Sequence, residues 1–394
     1  MTARFRDHFS ARPFSPAAVD ELVPAATAIV GVGESAHFVT EFNRLRAELV
    51  ADLVRRHGVT RLALEVGHDE APTIRSWWRD SPPGAACPVG PLTTRVYGTF
   101  LSELRDRLGA EHAPAILGVD LPNSLTLAVT LDPLAGLLAA LEPATAELVG
   151  RARALVAPIA GASAASSAIA WTALPLRDRD EATAILARIA ARTDALAAGS
   201  TDERWQQAAE LTRTAVVTDL MLRAMSELFA GSGLDLDTTL RERFVADRLL
   251  REAAALPDGE RIAYVAHNNH IQKAPVTCAG EVAALPAGQF VARGLGRRYV
   301  AVGLSHLDDT VPEMVFPDPH PLGFRVERAP LEALPDDAIE SVAAGAGTGP
   351  VVVRGEGRAG ASIRSQSAIA TVPADAFDAV IVVASATTDP LSSG

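Results

Sequence analysis

Hydrophobic positions in the first part of the chain form two short continuous runs separated by a stripe at helical spacing. The apolar run at 26–32 is followed by the polar turn G-E-S-A-H at 33–37. Apolar side chains then recur every three or four residues from Phe42 to Leu53, which predicts a helix that Gly58 ends. A second apolar run at 62–64 leads into Glu65. This pattern predicts a strand–helix–strand unit with parallel strands.

The remaining chain extends this unit to an α/β fold with a central, mostly parallel sheet flanked by helices. Residues 125–256 differ, because they are rich in Ala, Leu and Arg with helical periodicity and almost no strand signal. We therefore predict an N-terminal part of the α/β core at 1–124 and a C-terminal part at 257–394. Between them, 125–256 should form a large helical insertion of three to five long helices, serving as a lid or cleft wall. Residues 1–25 are predicted to be a lead-in segment with one short helix.

Five apolar runs end in a residue suited to acid–base chemistry, namely Glu34, Glu65, Asp120, His267 and His306. Parallel strands would deliver all five to the same sheet edge, where open α/β sheets bind ligands. Any single polar residue at a strand end is more often a cap or a surface residue. Five together favour a titratable pocket, in which a neutral imidazole takes a proton from water and a carboxylate orients it.

The turn at 33–37 adds His37 to this set. We expect one pocket to be lined by Glu34, His37, Glu65, Asp120 and His267. The insertion should cover it with Ala-rich helix faces that form an apolar wall.

Two alternatives involve a cofactor or a serine nucleophile. Gly31, Gly33 and Ala36 match the G-x-G-x-x-A dinucleotide fingerprint after a strand, with Glu65 as the candidate ribose acid. The interval from Ala36 to Glu65 is longer than usual for that motif. No G-x-S-x-G nucleophile elbow occurs in the chain, and Ser35 suits a helix cap. No cofactor is predicted.

A metal site is a further alternative. Glu34, His37, Glu65 and His267 offer carboxylate and imidazole ligands that suit zinc or manganese. No close-spaced ligand pair such as H-x-x-x-H supports this, so no metal is predicted. The chain contains two cysteines, too few for a disulfide framework or a zinc cluster.

The composition of the chain limits the classes of partner that it is expected to bind. The net charge of −12 argues against a nucleic-acid surface, which needs a basic patch. Residues 154–176 carry no charged side chain, but their Ala, Ser, Gly and Pro content favours a buried or lid helix over a membrane span. The N-terminus shows no secretory signal, so a cytoplasmic protein that does not bind a membrane is expected. The oligomeric state stays open.

Several motifs together resemble the erythromycin esterase family. Its opening pattern G-E-x-x-H-x-x-x-E-F, followed by a strand ending in A-x-E, is matched by 33–42 and 63–65. Further resemblances follow in the family's order: G-V-D at 118–120, R-E-R-F-V-A-D at 241–247, V-A-H-N-N-H-I at 265–271 and F-D-A at 377–379.

The resemblance implies hydrolysis of a macrolide lactone ester by water, without a serine nucleophile. His37 would be the general base, with Glu34 and Glu65 orienting it or the water. His267 would steady the oxyanion or protonate the leaving alkoxide. The other implied site residues would contact the bulky, apolar, polyketide-like substrate: Asp120, Arg241, His270 and Glu41.

The chain departs from the family pattern at 38–40, where Phe-Val-Thr replaces small residues and the segment's basic residue is missing. Asp247 and Arg248 replace the usual acid–Asn pair. These differences leave room for another reaction on the same acid–base site. A cyclase or lyase of natural-product biosynthesis is the main alternative, ahead of a dinucleotide-binding oxidoreductase and a catalytically silent binder.

Overall fold

The computed structural model describes residues 5, 7–278, 281–316, 318–346, 349–357 and 359–392. Its strands, in chain order, are β1 (Phe9–Pro13), β2 (Ile29–Val32), β3 (Val59–Gly67), β4 (Ala115–Asp120), β5 (Arg261–Val265), β6 (Val276–Cys278), β7 (Glu281–Ala284), β8 (Tyr299–His306), β9 (Thr310–Val315), β10 (Arg325–Pro330), β11 (Val351–Gly355), β12 (Gly360–Ser365), β13 (Ala368–Pro373) and β14 (Ala379–Val383).

Eight of these strands form the central sheet, in the order β1-β11-β14-β8-β2-β5-β3-β4. The six strands from β14 to β4 are parallel. At the edge beside β14, strand β11 runs antiparallel to β14, and β1 runs antiparallel to β11. The predicted mostly parallel sheet is therefore confirmed. Strand β2 lies near the middle, so the loop that follows it opens at the centre of the ligand-binding edge.

The helices flank this sheet. They are α1 (Pro16–Leu22), α2 (Thr40–Arg56), α3 (Ala71–Asp80), α4 (Pro91–Leu108), α5 (Ala128–Leu141), α6 (Pro143–Leu155), α7 (Ala164–Ala173), α8 (Leu176–Gly199), α9 (Glu203–Phe229), α10 (Thr239–Ala254), α11 (Asn268–Ile271), α12 (Ala287–Leu295) and α13 (Ile339–Ala343). Short 3₁₀ helices occur at Gly296–Arg298 and Pro390–Ser392.

The segment between β4 and β5 is helical, as the periodicity predicts. It contains six helices, α5 to α10, rather than three to five, and none of its residues is in a strand. The uncharged stretch at 154–176 is not one helix, because α6 ends at Leu155 and α7 begins after the Ser163 N-cap. Among the described residues, no helix combines the length and the apolar character needed to cross a membrane.

Hydrophobic cores lie on both faces of the sheet, because successive strand side chains point to opposite faces. Ile262 and Tyr264 of β5 pack in the core that holds the α5–α10 helices. Ala263 and Val265 pack in the core that holds α2 and α4. The helical segment therefore covers one face, and the helices at 16–108 cover the other.

The short helix predicted within residues 1–25 is present as α1, whereas strand β1 and two small sheets were not predicted. Strand β1 has the sequence FSARP, which lacks an apolar run, and its place at the edge comes from pairing with β11. Strands β9 and β10 form a two-stranded sheet, and β12-β13-β6-β7 form a four-stranded one. Ser365 pairs with Ala368, so β12 and β13 are joined by the two-residue turn Gln366–Ser367.

Candidate active site

The glycines before the active-site loop are required by close packing. A Cβ atom on Gly33 would overlap Oδ1 of Asn268, and one on Gly31 would lie 2.7 Å from the Tyr299 hydroxyl. Helix α2 starts only at Thr40, whose N–H donates to the carbonyl of Thr387. The glycine spacing therefore follows from packing at this strand end and does not by itself indicate a phosphate site.

His37 is paired with Glu34 in the loop after β2. The Glu34 Oε1 atom lies 2.8 Å from Nδ1 of His37, and its Oε2 atom lies 2.8 Å from Nη2 of Arg46. The guanidinium of Arg46 is fully buried, 5.6 Å from the ring centre of Tyr97 and 5.4 Å from that of Phe100. Because a carboxylate beside this cation can only accept, Nδ1 of His37 carries the proton. In the neutral form of the ring, this contact leaves the lone pair on Nε2, where a general base requires it.

His267 lies against His37, with 5.0 Å between the ring centres. Its Nε2 donates to the carbonyl of Ser35 over 3.0 Å, and its Nδ1 accepts the N–H of Asn269 over 3.1 Å. Burial, reinforced by the neighbouring His37 and His270, holds the pKa of His267 well below its usual range. The ring is therefore neutral, and both its nitrogens are already engaged with the backbone. With both nitrogens engaged, His267 is not arranged to steady an oxyanion or to protonate an alkoxide, the roles that the resemblance implies.

Behind this pair lies a buried charge network. The Oε1 atom of Glu65 is 2.8 Å from Arg241 Nη2 and 3.1 Å from His270 Nε2, while His270 Nδ1 is 2.7 Å from Glu242 Oε1. Burial opposes the charge on His270, but Glu242 and Glu65 on either side raise its pKa to about 10. Burial also opposes ionisation of Glu65, yet His270 and Arg241 hold its pKa well below its usual range. The network is thus made of fixed charges of both signs.

Arg241 lines the open cleft together with Glu65 of the same network. Its Nε donates to Asp120 Oδ1 over 2.9 Å, and its Nη2 contacts Asp120 and Glu65. Asp120 itself is 1% exposed and does not line the cleft. Asp120 was predicted to contact the substrate, but it lies beneath Arg241 and holds that side chain in place.

Two other predicted substrate contacts also lie away from the cleft. Glu41 accepts hydrogen bonds from Ser385 and from the N–H and hydroxyl of Thr387, so it fastens a late segment of the chain to the start of α2. His270 is held between two carboxylates. Neither side chain lines the cleft.

His306, at the end of β8, is also separate from this site. It is fully buried with its ring centre 6.0 Å from that of Phe42, and neither ring nitrogen has a hydrogen-bond partner among the described residues. Burial lowers the pKa of His306 to about 4. Of the five strand-end residues, only Glu65 lines the cleft, while Glu34, Asp120 and His267 lie directly behind it.

The cleft has a volume of about 310 Å³. His37, Glu65 and Arg241 supply its charged and titratable groups. The rest of its lining is largely apolar: Phe38, Leu92, Val96, Tyr97, Leu121, Pro122, Asn123, Leu125, Ala164, Met221, Met225, Leu228, Thr238 and Met314. Helix α9 contributes Met and Leu side chains, so the apolar wall is not the Ala-rich face that was predicted.

Sequence reasoning missed Arg46, although a signal was present. Positions 42, 46, 49 and 53 follow the helical spacing of the apolar stripe, so Arg46 lies on the buried face of α2. A charge on such a face calls for a buried partner, which is Glu34. No group of three His, Cys, Asp or Glu side chains in the described part of the chain is arranged to hold a metal ion.

Comparison with known proteins gives consistent similarities. The family model described as erythromycin esterase matches residues 54–386. An Escherichia coli protein named erythromycin esterase type I is 34% identical over 376 residues, covering 92% of each chain. An Escherichia coli erythromycin esterase type II is 24% identical over 332 residues, covering 82% of this chain and 79% of that protein. A solved structure of a mutant of the erythromycin esterase EreC, in its open conformation, superposes with a TM-score of 0.90 at 31% identity, covering 97% and 99% of the two chains.

Proposed function

This chain belongs to the erythromycin esterase family and is a carboxylic ester hydrolase, and we propose that it opens the lactone ester of a macrolide with water activated by His37. The observation that carries this proposal is the pairing of His37 with Glu34 at the edge of an apolar cleft. The names of the relatives supply the substrate class, and the cleft supplies a wall that suits a bulky, largely apolar ring.

His37 acts on the attacking water. Its Nδ1–H is held by Glu34, so Nε2 is the atom that takes the proton. Glu34 then faces the imidazolium that forms and stabilises its charge. Arg46 gives the buried Glu34 carboxylate a charge partner, without which its burial would be costly.

Arg241 stabilises the negative charge that develops on the carbonyl oxygen. Its Nε and Nη2 are held by Asp120 and Glu65, and its Nη1 donates to none of the residues that the structure describes. A guanidinium fixed in this way requires no reorganisation when the charge appears. The buried His270 cation keeps Glu65 ionised and in place.

The reaction balances with water as the only co-reactant. The water oxygen bonds to the ester carbon, and its proton passes to Nε2 of His37. The bond from this carbon to the ring alkoxide then breaks, and the His37 imidazolium returns the proton to that alkoxide. His267 keeps the loop in place by holding the Ser35 carbonyl and takes no part in the proton transfers.

The test is to incubate the purified protein with erythromycin in heavy-oxygen water under single-turnover conditions. The product should gain the mass of one water with the label in its new carboxylate, and no covalent adduct should form on the enzyme. His37→Ala should reduce the rate on the order of 10²–10⁴-fold, and His37→Gln should not restore it, because an amide accepts no proton. The matched control is His112→Gln, since the His112 side chain is 64% exposed and remote from the cleft.

Three outcomes would contradict the proposal. A wild-type rate in His37→Ala would make His37 a structural residue of the loop. A product with no gain of water would favour a cyclase or lyase reaction on the same site. An adduct that survives denaturation would indicate a covalent nucleophile in place of activated water.

A further inference from the structure

The small sheet that the sequence did not predict reaches the catalytic loop with one turn. Strands β12 and β13 are joined by Gln366 and Ser367, and this turn is hydrogen-bonded to Ser35 and His37. The contact links positions more than 300 residues apart in the chain.

Gln366 makes two hydrogen bonds to the catalytic loop. Its Oε1 accepts the backbone N–H of His37 over 2.7 Å, and its own N–H donates to the carbonyl of Ser35 over 2.6 Å. The same Ser35 carbonyl accepts from His267. The backbone on either side of Ala36 is therefore fixed by a side chain and a main chain from the same turn.

Glu313 sets the orientation of the Gln366 amide. Its Oε1 lies 3.2 Å from Nε2 of Gln366, and its Oε2 accepts the N–H of Ser367 over 2.9 Å. A carboxylate can only accept, so the NH₂ group of the amide must face Glu313. The carbonyl of the amide is thereby turned toward the His37 N–H, where an acceptor is needed.

Backbone strain marks both ends of this contact. Gln366 has φ of 53°, and Phe38, the residue after His37, has φ of 66°. Residues other than Gly, Asn and Asp seldom adopt this left-handed backbone conformation. Each such residue costs of order 1–3 kcal/mol unless its surroundings compensate. A glycine would adopt the turn at 366 without this strain, whereas the glutamine present there uses its amide to contact His37 and Glu313.

We propose that Gln366 is a positioning residue for His37, holding the imidazole at the distance and angle from which it activates water. This inference rests on the proposed function, in which His37 is the base. Gln366 does not line the cleft. Its loss should therefore lower kcat and leave KM nearly unchanged, because substrate binding is not altered.

Gln366→Ala is the first variant. It removes the acceptor for the His37 N–H, and kcat should fall about 10–100-fold, the range for a misplaced catalytic group. KM should stay within about twofold of the wild-type value. The matched control is Ser367→Ala in the same turn, since Ser367 contributes its backbone N–H to Glu313 and that group is retained.

Exchanging the amide and the carboxylate between positions 366 and 313 distinguishes a positioning role from simple damage to the turn. Gln366→Glu places two carboxylates against each other and should turn the new side chain away from His37, so kcat should fall as in the alanine variant. Adding Glu313→Gln restores an amide–carboxylate pair with the roles exchanged, in which position 366 again accepts from His37. The double variant should therefore have a higher kcat than Gln366→Glu alone. A double variant no better than that single variant would overturn the proposal.

A measurement without substrate keeps this inference separate from the proposed function. The proton on Nδ1 of His37 can be followed by NMR of ring-labelled protein and identified by its loss in His37→Ala. In Gln366→Ala this signal should broaden through faster exchange, and in Ser367→Ala it should not change. If the wild-type protein does not open erythromycin, this readout still tests the positioning role. An unchanged signal together with an unchanged kcat would show that Gln366 only shapes the hairpin, with the ester hydrolase function intact.

Discussion

Raising the pH should weaken the folded state through His270. This side chain lies between Glu65 and Glu242, and the two carboxylates raise its pKa to about 10 against the desolvation that would lower it. In the unfolded chain its pKa returns to about 6.5. A histidine with a raised folded pKa contributes stability that is fully present below pH 6.5 and is lost as the pH rises through about 10.

The size of the effect follows from the gap between the two pKa values, which is about 3.5. Each pKa unit is worth about 1.36 kcal/mol, so the charged form contributes on the order of 5 kcal/mol to the free energy of unfolding. Between about pH 7 and pH 10, the His270 contribution should fall by about 1.4 kcal/mol for each pH unit.

The assay compares the wild type with His270→Gln. Urea unfolding followed by tryptophan fluorescence at several pH values gives the difference in unfolding free energy between the two proteins. This difference should be largest near pH 7 and should shrink steadily toward pH 10. His112→Gln, at an exposed position, should show no such trend. A difference between wild type and His270→Gln that stays constant across this window would refute the reasoning, because His270 would then not be a cation held by its neighbours.

Two further predictions concern other groups. His306 is buried with its pKa lowered to about 4, so its stability contribution is complete above pH 6.5 and is lost as the pH falls through 4. In the wild type, His306 should lower the free energy of unfolding by up to about 3 kcal/mol as the pH falls from 7 to 4, and His306→Leu should remove this loss. Urea unfolding at several pH values measures it, and equal losses in the two proteins would contradict the prediction. Met225→Ala should raise KM for erythromycin about tenfold with little change in kcat, because apolar contact area is lost from the cleft. Met225→Leu, which keeps most of that area, should stay near the wild type, and equal KM values for the alanine variant and the wild type would exclude a substrate contact.

The parallel centre of the sheet was predictable because each of its strands is an apolar run buried on both faces. Strands β2, β5 and β8 are of this kind, and the ends of β2 and β5 place His37 and His267 together. Strand β1 escaped prediction because its side chains are mostly polar and its position depends on backbone pairing to a strand far along the chain. Local patterns carry no information about such pairing.

Only the site residues at or just after the strand ends were predictable from the sequence. Motif resemblance indicated Glu34, His37 and Glu65, but it did not separate side chains that face the cleft from those that lie behind it. Arg46 sits on a helix face and Gln366 in a turn between two short strands. Arg46 pairs with Glu34 in the loop just before its helix, whereas Gln366 contacts His37, 329 residues earlier in the chain, and no local pattern predicts that second pairing.

The central position of β2 has a consequence for how the protein is made. Its neighbours in the sheet, β5 and β8, belong to residues 261–265 and 299–306. During translation both edges of this apolar strand therefore remain unpaired while more than 200 further residues are added. Exposed strand edges are templates for aggregation, and pairings this distant are slow to form. We therefore expect the nascent chain to be prone to aggregation until β5 and β8 have been synthesised and can pair with β2.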